Sequence, residues 1–505
     1  MKTKPGKVIF IGAGPGNPDL ITIKGAKELK TCDLVIYDRL VSPEILEIIP
    51  KTTAVRCAEE MPGCHPERIE SIVKIMVESS LQGLKVARLK GGDPLLFGRG
   101  QEEIDPLVQK NIPFEIIPGV TAALGASAYS GFPLTDRDLS SAVAFITGHE
   151  KAGKANSMLD WANLAHFKGS LVFYMGVKRA SVIQENLIFH GRSPETPLAI
   201  ISNATSPNQK SYFSKLADLS ATIQANCINP PSLIVVGEVA GKLGSWNWAS
   251  QLPLAGARIL IARPMGQESE LTQDLRDLGA DVKSLHSMEI VDPPSWQILD
   301  EAISQLDDFS FIVFTSVNGV RKFVQRLTFL GKDLRALGKT KIACIGEVTA
   351  LELEAYHLKA DLIPKVFNSD SLTKHLAPLV QGKKVLLARA MEGKESLRLD
   401  LSKVSNVVDA PCYAQKKTNE EYLAIFGSMI SEEKFDYVFA TSPNIAKLLI
   451  PIIPSNLATT KIVSISPLTD SEFEAKGFKN RITSEVFTTN GMIEVTIKDW
   501  KLKKK

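Results

Sequence analysis

The chain has 505 residues, enough for about three to four domains at the usual domain size. Hydrophobic residues make up 44% and charged residues 23%, which excludes a disordered or fibrous chain. The balance of 59 basic and 56 acidic residues, a formal +3, gives no bulk charge for nucleic-acid binding.

From the N-terminus, VIFI before GAGPG reads as a buried strand entering a glycine loop, too short for the core of a signal peptide. Short β-like runs then alternate with helical stretches: CDLVIYD, LKVARLKGGD, SLVFYMG, SLIVVG, ARILIAR, FIVFTS, KIACIG, KVLLAR and DYVFAT. Runs that end in Gly, Ser, Thr or Asp and pass into a helical pattern predict α/β units with mostly parallel strands. The uncharged stretch from Ile116 to Thr135 reaches membrane length. Its prolines, glycines and hydroxyls argue against a lipid-facing span. The six cysteines form no C-x-x-C pair, and Cys57, Cys64 and His65 are a weak metal signal, so no metal is expected and the thiols read as reduced and cytoplasmic. The terminal lysines 501 and 503–505 read as a solvated tail.

A polar seam, GSWNWASQLPLAG, separates two α/β blocks of similar length, expected at 1–250 and 256–505. The second block repeats itself. Gly256-Ala-Arg-Ile-Leu-Ile-Ala-Arg263 returns as Gly382-Lys-Lys-Val-Leu-Leu-Ala-Arg389, 126 positions on. Thr315-Ser316-Val317-Asn318 returns as Thr441-Ser442-Pro443-Asn444 at the same offset, and IGEVT echoes as ISPLT. Two related lobes facing a cleft would explain the order.

In the first block, Gly12, Gly14 and Gly16 allow close approach of a ligand to the backbone. Asn17 breaks the dinucleotide fingerprint, yet Asp38 stands where a ribose would be held, so an NAD-dependent oxidoreductase is a rival reading. The run Arg88-Leu-Lys-Gly91-Gly92-Asp93-Pro94 exposes backbone groups. Its Asp93 serves either a ligand or the cap of a turn.

The ordered series GAGPG, YDRL, RLKGGDPLLFGRG, PGVTAA, GFPLTDR, TGH and FYMG resembles the tetrapyrrole methylase family, and within it uroporphyrinogen-III C-methyltransferase, over residues 5 to 250. The resemblance implies a two-lobed methylase fold and S-adenosylmethionine as cofactor. It implies a pocket lined by Pro15, Gly91, Gly92, Asp93, Leu96, Thr121, Ala122, Met175 and Ala204. It implies two methylations of uroporphyrinogen III, at C2 and C7, giving precorrin-2. Asp38 becomes a candidate general base, with a strand-end turn as its other reading, and core packing is the other reading of Met175. A homodimer through this half is a family expectation. Two departures stand out: CAEE (Cys57 to Glu60) replaces a Gly-Lys-Arg segment, and Asp136 replaces a His. Arg88, Lys90, Arg99 and Arg137 remain as candidate partners for substrate carboxylates, with a surface charge as the other reading of each.

The second block, through ILIARP, FIVFTSVNGVRKF, IACIGEVTA, KVLLARA and FDYVFATSPNIAKLL, resembles uroporphyrinogen-III synthase. That family closes hydroxymethylbilane to uroporphyrinogen III with inversion of ring D and loss of water. Ser316, Thr349, Ser442 and Thr469, with Asn318 and Asn444, stand where strands pass into helices and either bind carboxylates or cap helices. Tyr413 is a candidate donor to the departing hydroxyl, or a packed tyrosine of the connection. Strands near 285–290 and 408–414 are expected to join the lobes. A non-catalytic tetrapyrrole-binding module is the rival for this half. The expectation is thus an α/β two-domain enzyme of sirohaem or cobalamin synthesis, with small-molecule partners and neither nucleic acid nor membrane.

Overall fold

The computed structural model describes residues 4–50, 52–60, 65–148, 158–265, 270–393, 395–417, 427, 430, 435–453 and 459–504. The chain divides into two compact units. One is formed by Met1–Ala257 with Arg276–Asp281, the other by Arg258–Leu275 with Val282–Lys505.

The first unit opens on β1 (Val8–Gly12), whose five residues are all buried, as expected of a strand covered on both faces. β2 (Leu34–Tyr37), β3 (Ala54–Cys57), β4 (Val86–Lys90) and β5 (Phe114–Ile117) complete a parallel sheet in the order β3-β2-β4-β1-β5. Chain order reverses between β4 and β1: β1 leads on to β2 beyond β4, and β4 leads on to β5 beyond β1. Open α/β sheets take ligands at the carboxyl ends of strands at such a switch point.

The second sheet of this unit holds β6 (Val143–Thr147), β7 (Ser170–Tyr174), β8 (Pro197–Ser202), β9 (Lys210–Lys215) and β10 (Ser232–Val236), ordered β6-β7-β10-β8-β9. Only β6 and β7 pair in parallel; the β7–β10, β10–β8 and β8–β9 pairs are antiparallel. The expectation of mostly parallel strands therefore fails here. The cause is local: β8 turns back into β9 through Asn203–Gln209, and β9 is an edge whose residues alternate between exposed and half-buried.

The polar seam is docked rather than loose. Trp246 N–H donates to Gly131 O at 3.0 Å, Trp248 Nε1 donates to Ala128 O at 2.9 Å, and Leu254 is fully buried. The uncharged stretch 116–135 becomes the end of β5, a turn, the helix Ala122–Ser130 and a second turn. No helix among the described residues is long and apolar enough to cross a membrane.

The second unit is built on one nine-stranded sheet. Its strands are β11 (Arg258–Met265), β12 (Asp281–Val291), β13 (Phe311–Phe314), β14 (Lys341–Cys344), β15 (Lys384–Ala390), β16 (Asn406–Lys417), β17 (Tyr437–Ala440), β18 (Lys461–Ser464) and β19 (Arg481–Thr483). The order is β14-β13-β15-β16-β12-β11-β17-β18-β19. Read outward from the middle, each half runs through the same pattern, β16-β15-β13-β14 and β12-β11-β17-β18. The repeated motifs fall on matching strands, KVLLAR on β15 with ARILIAR on β11, and FIVF on β13 with YVFA on β17. The two long strands β12 and β16 pair antiparallel from Met288–Lys417 to Val291–Ala414 and so join the halves. One half is discontinuous, since β11 precedes and β17–β19 follow the other half. The lysines 501, 503 and 504 are exposed, as expected of a solvated end, but 501 and 503 are helical, inside Thr489–Lys503, and the Lys503 ammonium lies 4.5 Å from the centre of the Tyr437 ring.

Candidate active sites

The carboxyl ends of β1, β4 and β5 meet through glycines. Gly14 and Gly92, both at positive φ (83° and 67°), form a backbone bridge, with Gly92 N–H to Gly14 O at 2.8 Å and Gly14 N–H to Gly92 O at 3.2 Å. A Cβ on Gly119 would lie 2.7 Å from Gly12 Cα and overlap the Gly92 carbonyl. Asp93 locks this junction. Its Oδ1 accepts from Leu95 and Leu96 N–H at 2.9 and 3.2 Å, and its Oδ2 accepts from Gly119 N–H at 3.0 Å. Of the two roles open to Asp93, the turn-capping one is therefore observed.

The helix Ala122–Ser130 starts after Thr121, whose Oγ1 lies 2.6 Å from the Tyr174 hydroxyl; that hydroxyl also accepts from Ala123 N–H at 3.1 Å. Burial pushes the Tyr174 phenol up, so it stays a neutral hydroxyl that links the two sheets. Its ring lies 5.0 Å from Phe97. Pro15 packs on Gly125, and Gly16 comes against the Ala204 carbonyl and Thr205, so the first glycine loop reaches the 203–205 turn. Asn17 N–H donates to Thr205 Oγ1 at 2.9 Å.

Five non-glycine residues around this rim have left-handed backbones: Phe97, Arg99, Met175, Asn203 and Thr205. Such strain persists where the surroundings over-determine it, and it concentrates at ligand clamps. Pro15, Gly91, Gly92, Asp93, Leu96, Thr121, Ala122, Met175 and Ala204 thus lie on loops tied to one another. Met175 is 48% exposed, which sets aside core packing, whereas Ala204 is buried at 8%. Gly92 has space on its open side: an added Cβ would meet only Ala122 N at 3.9 Å. These features suit a small ligand lying against backbone.

Asp38 follows β2, and its Oδ1 accepts from Arg88 Nη2 at 2.5 Å. Arg88 and Lys90 do not face a ligand. They are 2% and 3% exposed and pair with the buried Glu103, at 2.8 Å (Arg88 Nε) and 2.7 Å (Lys90 Nζ). This corrects their expected role, because a substrate carboxylate cannot reach them. Burial alone would lower the Arg88 guanidinium; the Asp38 and Glu103 carboxylates outweigh it and hold it above its ordinary value. Glu103 was not legible as part of this group, although Leu107 one turn on marks its helix face as buried.

The departures have defined contacts. Glu59 accepts from Arg39 N–H at 2.9 Å, bracing the loop that carries Asp38. Asp136 caps its own turn and pairs with Lys242 at 2.5 Å, and that ammonium holds its carboxyl below the usual range. Arg99 pairs with Glu102 at 3.1 Å, and Arg137 is exposed. Cys64 lies outside the described residues, among which no three His, Cys, Asp or Glu side chains gather as metal ligands.

In the second unit, Ser316 ends the approach to the helix Val317–Phe329 and caps it, accepting from Gly319 N–H at 3.0 Å. Its Oγ lies 3.0 Å from the Tyr413 hydroxyl. The register of β15 and β16 shifts between Arg389 and Ala390, and Tyr413, two strands from Ser316, falls opposite Ala390 at this bulge. Burial pushes the Tyr413 phenol up, which keeps it a hydrogen-bond donor at neutral pH. Beside the bulge, Arg389 forks onto Asp409 at 2.7 and 2.5 Å. Ser442 caps the helix Pro443–Leu449 through Ile445 N–H at 3.3 Å. Thr349 and Thr469 are buried at 5% and 0% in the first turns of their helices, and Ser466, not Thr469, is the cap of its helix. Of the four predicted hydroxyls, Ser316 and Ser442 keep some surface and Thr349 and Thr469 do not; the capping Ser466 is half-buried as well.

Comparison with known proteins follows the same division. Residues 7–220 match the family described as Tetrapyrrole (Corrin/Porphyrin) Methylases. Residues 269–494 match Uroporphyrinogen-III synthase HemD. The chain is 34% identical to the "Porphyrin biosynthesis protein HemD" of Ruminiclostridium josui over 97% of both chains. It is 37% identical to the Uroporphyrinogen-III C-methyltransferase of Bacillus subtilis, over 70% of this chain and 72% of that one. A Siroheme synthase of Hydrogenovibrio crunogenus is 49% identical over 46% of this chain and 49% of its own length. Among solved structures, uroporphyrin-III C-methyl transferase from Thermus thermophilus complexed with S-adenyl homocysteine is 33% identical. That match covers 47% of this chain and 99% of that one, at a TM-score of 0.40. The chain belongs to the tetrapyrrole methylases through its first half and to the uroporphyrinogen-III synthases through its second, and is a tetrapyrrole-biosynthesis enzyme of both kinds.

Proposed function

We propose that this chain both makes and methylates uroporphyrinogen III. The second half closes hydroxymethylbilane with inversion of ring D and loss of water. The first half adds methyl groups at C2 and C7, giving precorrin-2. The observation that carries the methyl-transfer reading is the convergence of Gly92, Thr121, Met175 and Ala204 on one strained rim at the sheet's switch point.

When bound there, S-adenosylmethionine supplies a sulfonium methyl, whose carbon–sulfur bond breaks with its electron pair left on sulfur. The backbone of Gly91 and Gly92 lets the cofactor lie close, and Thr121, Ala122 and Ala204 keep the wall small. Met175 projects from the end of β7 beside it. The attacking pyrrole ring becomes cationic and returns to neutrality by losing a proton from its N–H or an adjacent methylene bridge. Asp38, whose side chain keeps 23% of its surface, takes that proton. Alignment of donor and acceptor supplies most of the rate.

In the second half, Ser316 accepts from Gly319 N–H and turns its own O–H toward Tyr413. The Tyr413 phenol is then free to donate to the hydroxyl that leaves as water. The Ser442 hydroxyl and the backbone N–H groups at the two helix starts take substrate carboxylates.

The test is anaerobic transfer of labelled methyl from S-adenosylmethionine to uroporphyrinogen III by the full chain. Wild type is expected to place two labels per ring, and Asp38→Asn to transfer at least about a hundredfold more slowly. A wild-type chain that labels nothing would overturn the methyltransferase reading.

A further inference from the structure

Four ionisable side chains meet beneath the end of β2. Arg88 and Lys90 bring two cations; Asp38 and Glu103 bring two anions. The Arg88, Lys90 and Glu103 side chains are 2–4% exposed, against 23% for Asp38. Arg88 reaches Glu103 through both Nε and Nη2, at 2.8 and 3.0 Å, and reaches Asp38 through Nη2 alone, at 2.5 Å. Lys90 Nζ lies 2.7 Å from Glu103 Oε1 but 3.8 Å from Asp38 Oδ2, beyond hydrogen-bond reach. Glu103 therefore takes most of the positive charge that would otherwise close on Asp38.

Cohesion alone does not call for this arrangement. A buried ion network is expensive in desolvation, and apolar side chains of similar volume often serve stability as well or better. The network instead does something specific to its one partly exposed member. It anchors Asp38 Oδ1 to a rigid guanidinium and leaves Oδ2 in a longer ion pair with Lys90, at 3.8 Å, with no hydrogen bond from that ammonium.

We propose that Glu103 is a positioning residue for proton removal by Asp38: it holds Lys90 and the Arg88 fork inward, so that Asp38 faces the substrate anchored but not smothered by two cations. This rests on the reading of Asp38 as the base. The other ionisable groups around Asp38 are Tyr37 and Arg39 on its own segment and Cys57, Glu59 and Glu60 at the end of β3, with Glu59 occupied by Arg39 N–H at 2.9 Å. They are common to every variant below and set a constant background.

The experiment follows kcat and KM for methyl transfer to uroporphyrinogen III by the full chain, from about pH 3 to about pH 9, a window that includes the ordinary range of a carboxylate. Glu103→Gln is expected to free both cations for Asp38. The acid limb of the kcat profile then moves down by about one pH unit and kcat falls about tenfold, while KM for S-adenosylmethionine stays within about twofold. Glu103→Asp keeps the charge and is expected to return the limb to its wild-type position. Lys90→Gln removes a cation and moves the limb the other way, which carries the test if Glu103→Gln does not fold. A limb that stays put in both Glu103→Gln and Lys90→Gln overturns the proposal, whatever happens to kcat. Glu103→Gln with wild-type kcat overturns it too. Wild-type kcat in Asp38→Asn would sink the general-base reading itself, and a wild-type chain without methyl transfer would sink the methyltransferase reading, so the three failures are distinct.

Discussion

The glycine junction of the first unit can be broken by one methyl group. In Gly119→Ala the new Cβ would stand 2.7 Å from Gly12 Cα. Non-bonded carbons rest at about 3.5–4.0 Å, so the strand ends must part by about 1 Å. The neighbours are backbone atoms of Gly12 and Gly92, which cannot swing aside as a side chain would. The same movement stretches the 3.0 Å bond from Gly119 N–H to Asp93 Oδ2. Losing a hydrogen bond to a charged group costs about 1.5–3 kcal/mol, and overpacking adds about 1–3 kcal/mol. A loss of about 3–5 kcal/mol corresponds to about 6–20 °C in Tm for a unit of this size. Calorimetry of the full chain with and without S-adenosylhomocysteine reads the shift in the transition that this ligand stabilises. Methyl transfer is expected to fall about a hundredfold, the scale of a 1 Å misplacement. Gly241→Ala is the control: its added Cβ meets only Pro197, at 3.9 and 4.0 Å, and the change is expected within about 0.5 kcal/mol. A Gly119→Ala chain that melts and methylates like Gly241→Ala would refute the reasoning.

Three further outcomes are expected. Tyr413→Phe removes the partner of Ser316 Oγ at 3.0 Å but leaves the cap on Gly319; stability falls by about 1 kcal/mol and the type-III over type-I product ratio by about tenfold or more, read by chromatography of the oxidised porphyrins. An unchanged ratio would leave Tyr413 as packing. Hydrogen bonds from Lys24 and Lys7 hold the Glu115 carboxyl down to about 2 from an ordinary 4.5. Its folded value is depressed, so its contribution is present above the ordinary value and fades as pH falls toward the folded one. The Lys7→Met, Lys24→Met variant is expected to titrate Glu115 near 4.5 by carboxyl NMR and to unfold in acid at a higher pH. In a Cys64→Ser chain, the exposed Cys227 is expected to react quickly with a disulfide reagent, while the buried Cys32, Cys57, Cys344 and Cys412 react only after unfolding. Burial pushes Cys32 and Cys344 up to about 11 and about 12, and the thiolate is the reacting form. Rapid loss of further thiols would contradict the packing described for these strands.

Much of the fold was legible because buried parallel strands leave uniform apolar runs: VIFIG and FIVF are buried end to end. The repeat in the second unit was legible for the same reason, since strand and cap recur together. Strand direction in the second sheet was not legible. SLIVV and PLAIIS look like parallel strands by composition, and only the return from Ser202 to Lys210 sets them antiparallel. At the site, Arg88 and Lys90 were misread because a charged residue in a strand ending at a glycine loop looks ligand-facing. Their true partner, Glu103, is 15 and 13 positions away on a helix, and no local pattern links them. Tyr174 was read as part of a motif, but its hydroxyl link to Thr121, 53 positions back, needed the packing of two sheets. Thr349 and Thr469 were read from their place near helix starts. The third position of a helix can turn inward, and both do.

The central claim is that two successive reactions reside in one chain. Mass spectrometry of the tetrapyrrole formed anaerobically from hydroxymethylbilane, with and without S-adenosylmethionine, tests it most directly. The account predicts the type-III ring without cofactor and the same ring bearing two added methyl groups with it. The type-I ring alone, matching the uncatalysed control, would contradict the synthase half, and a type-III ring that never gains methyl groups would contradict the other.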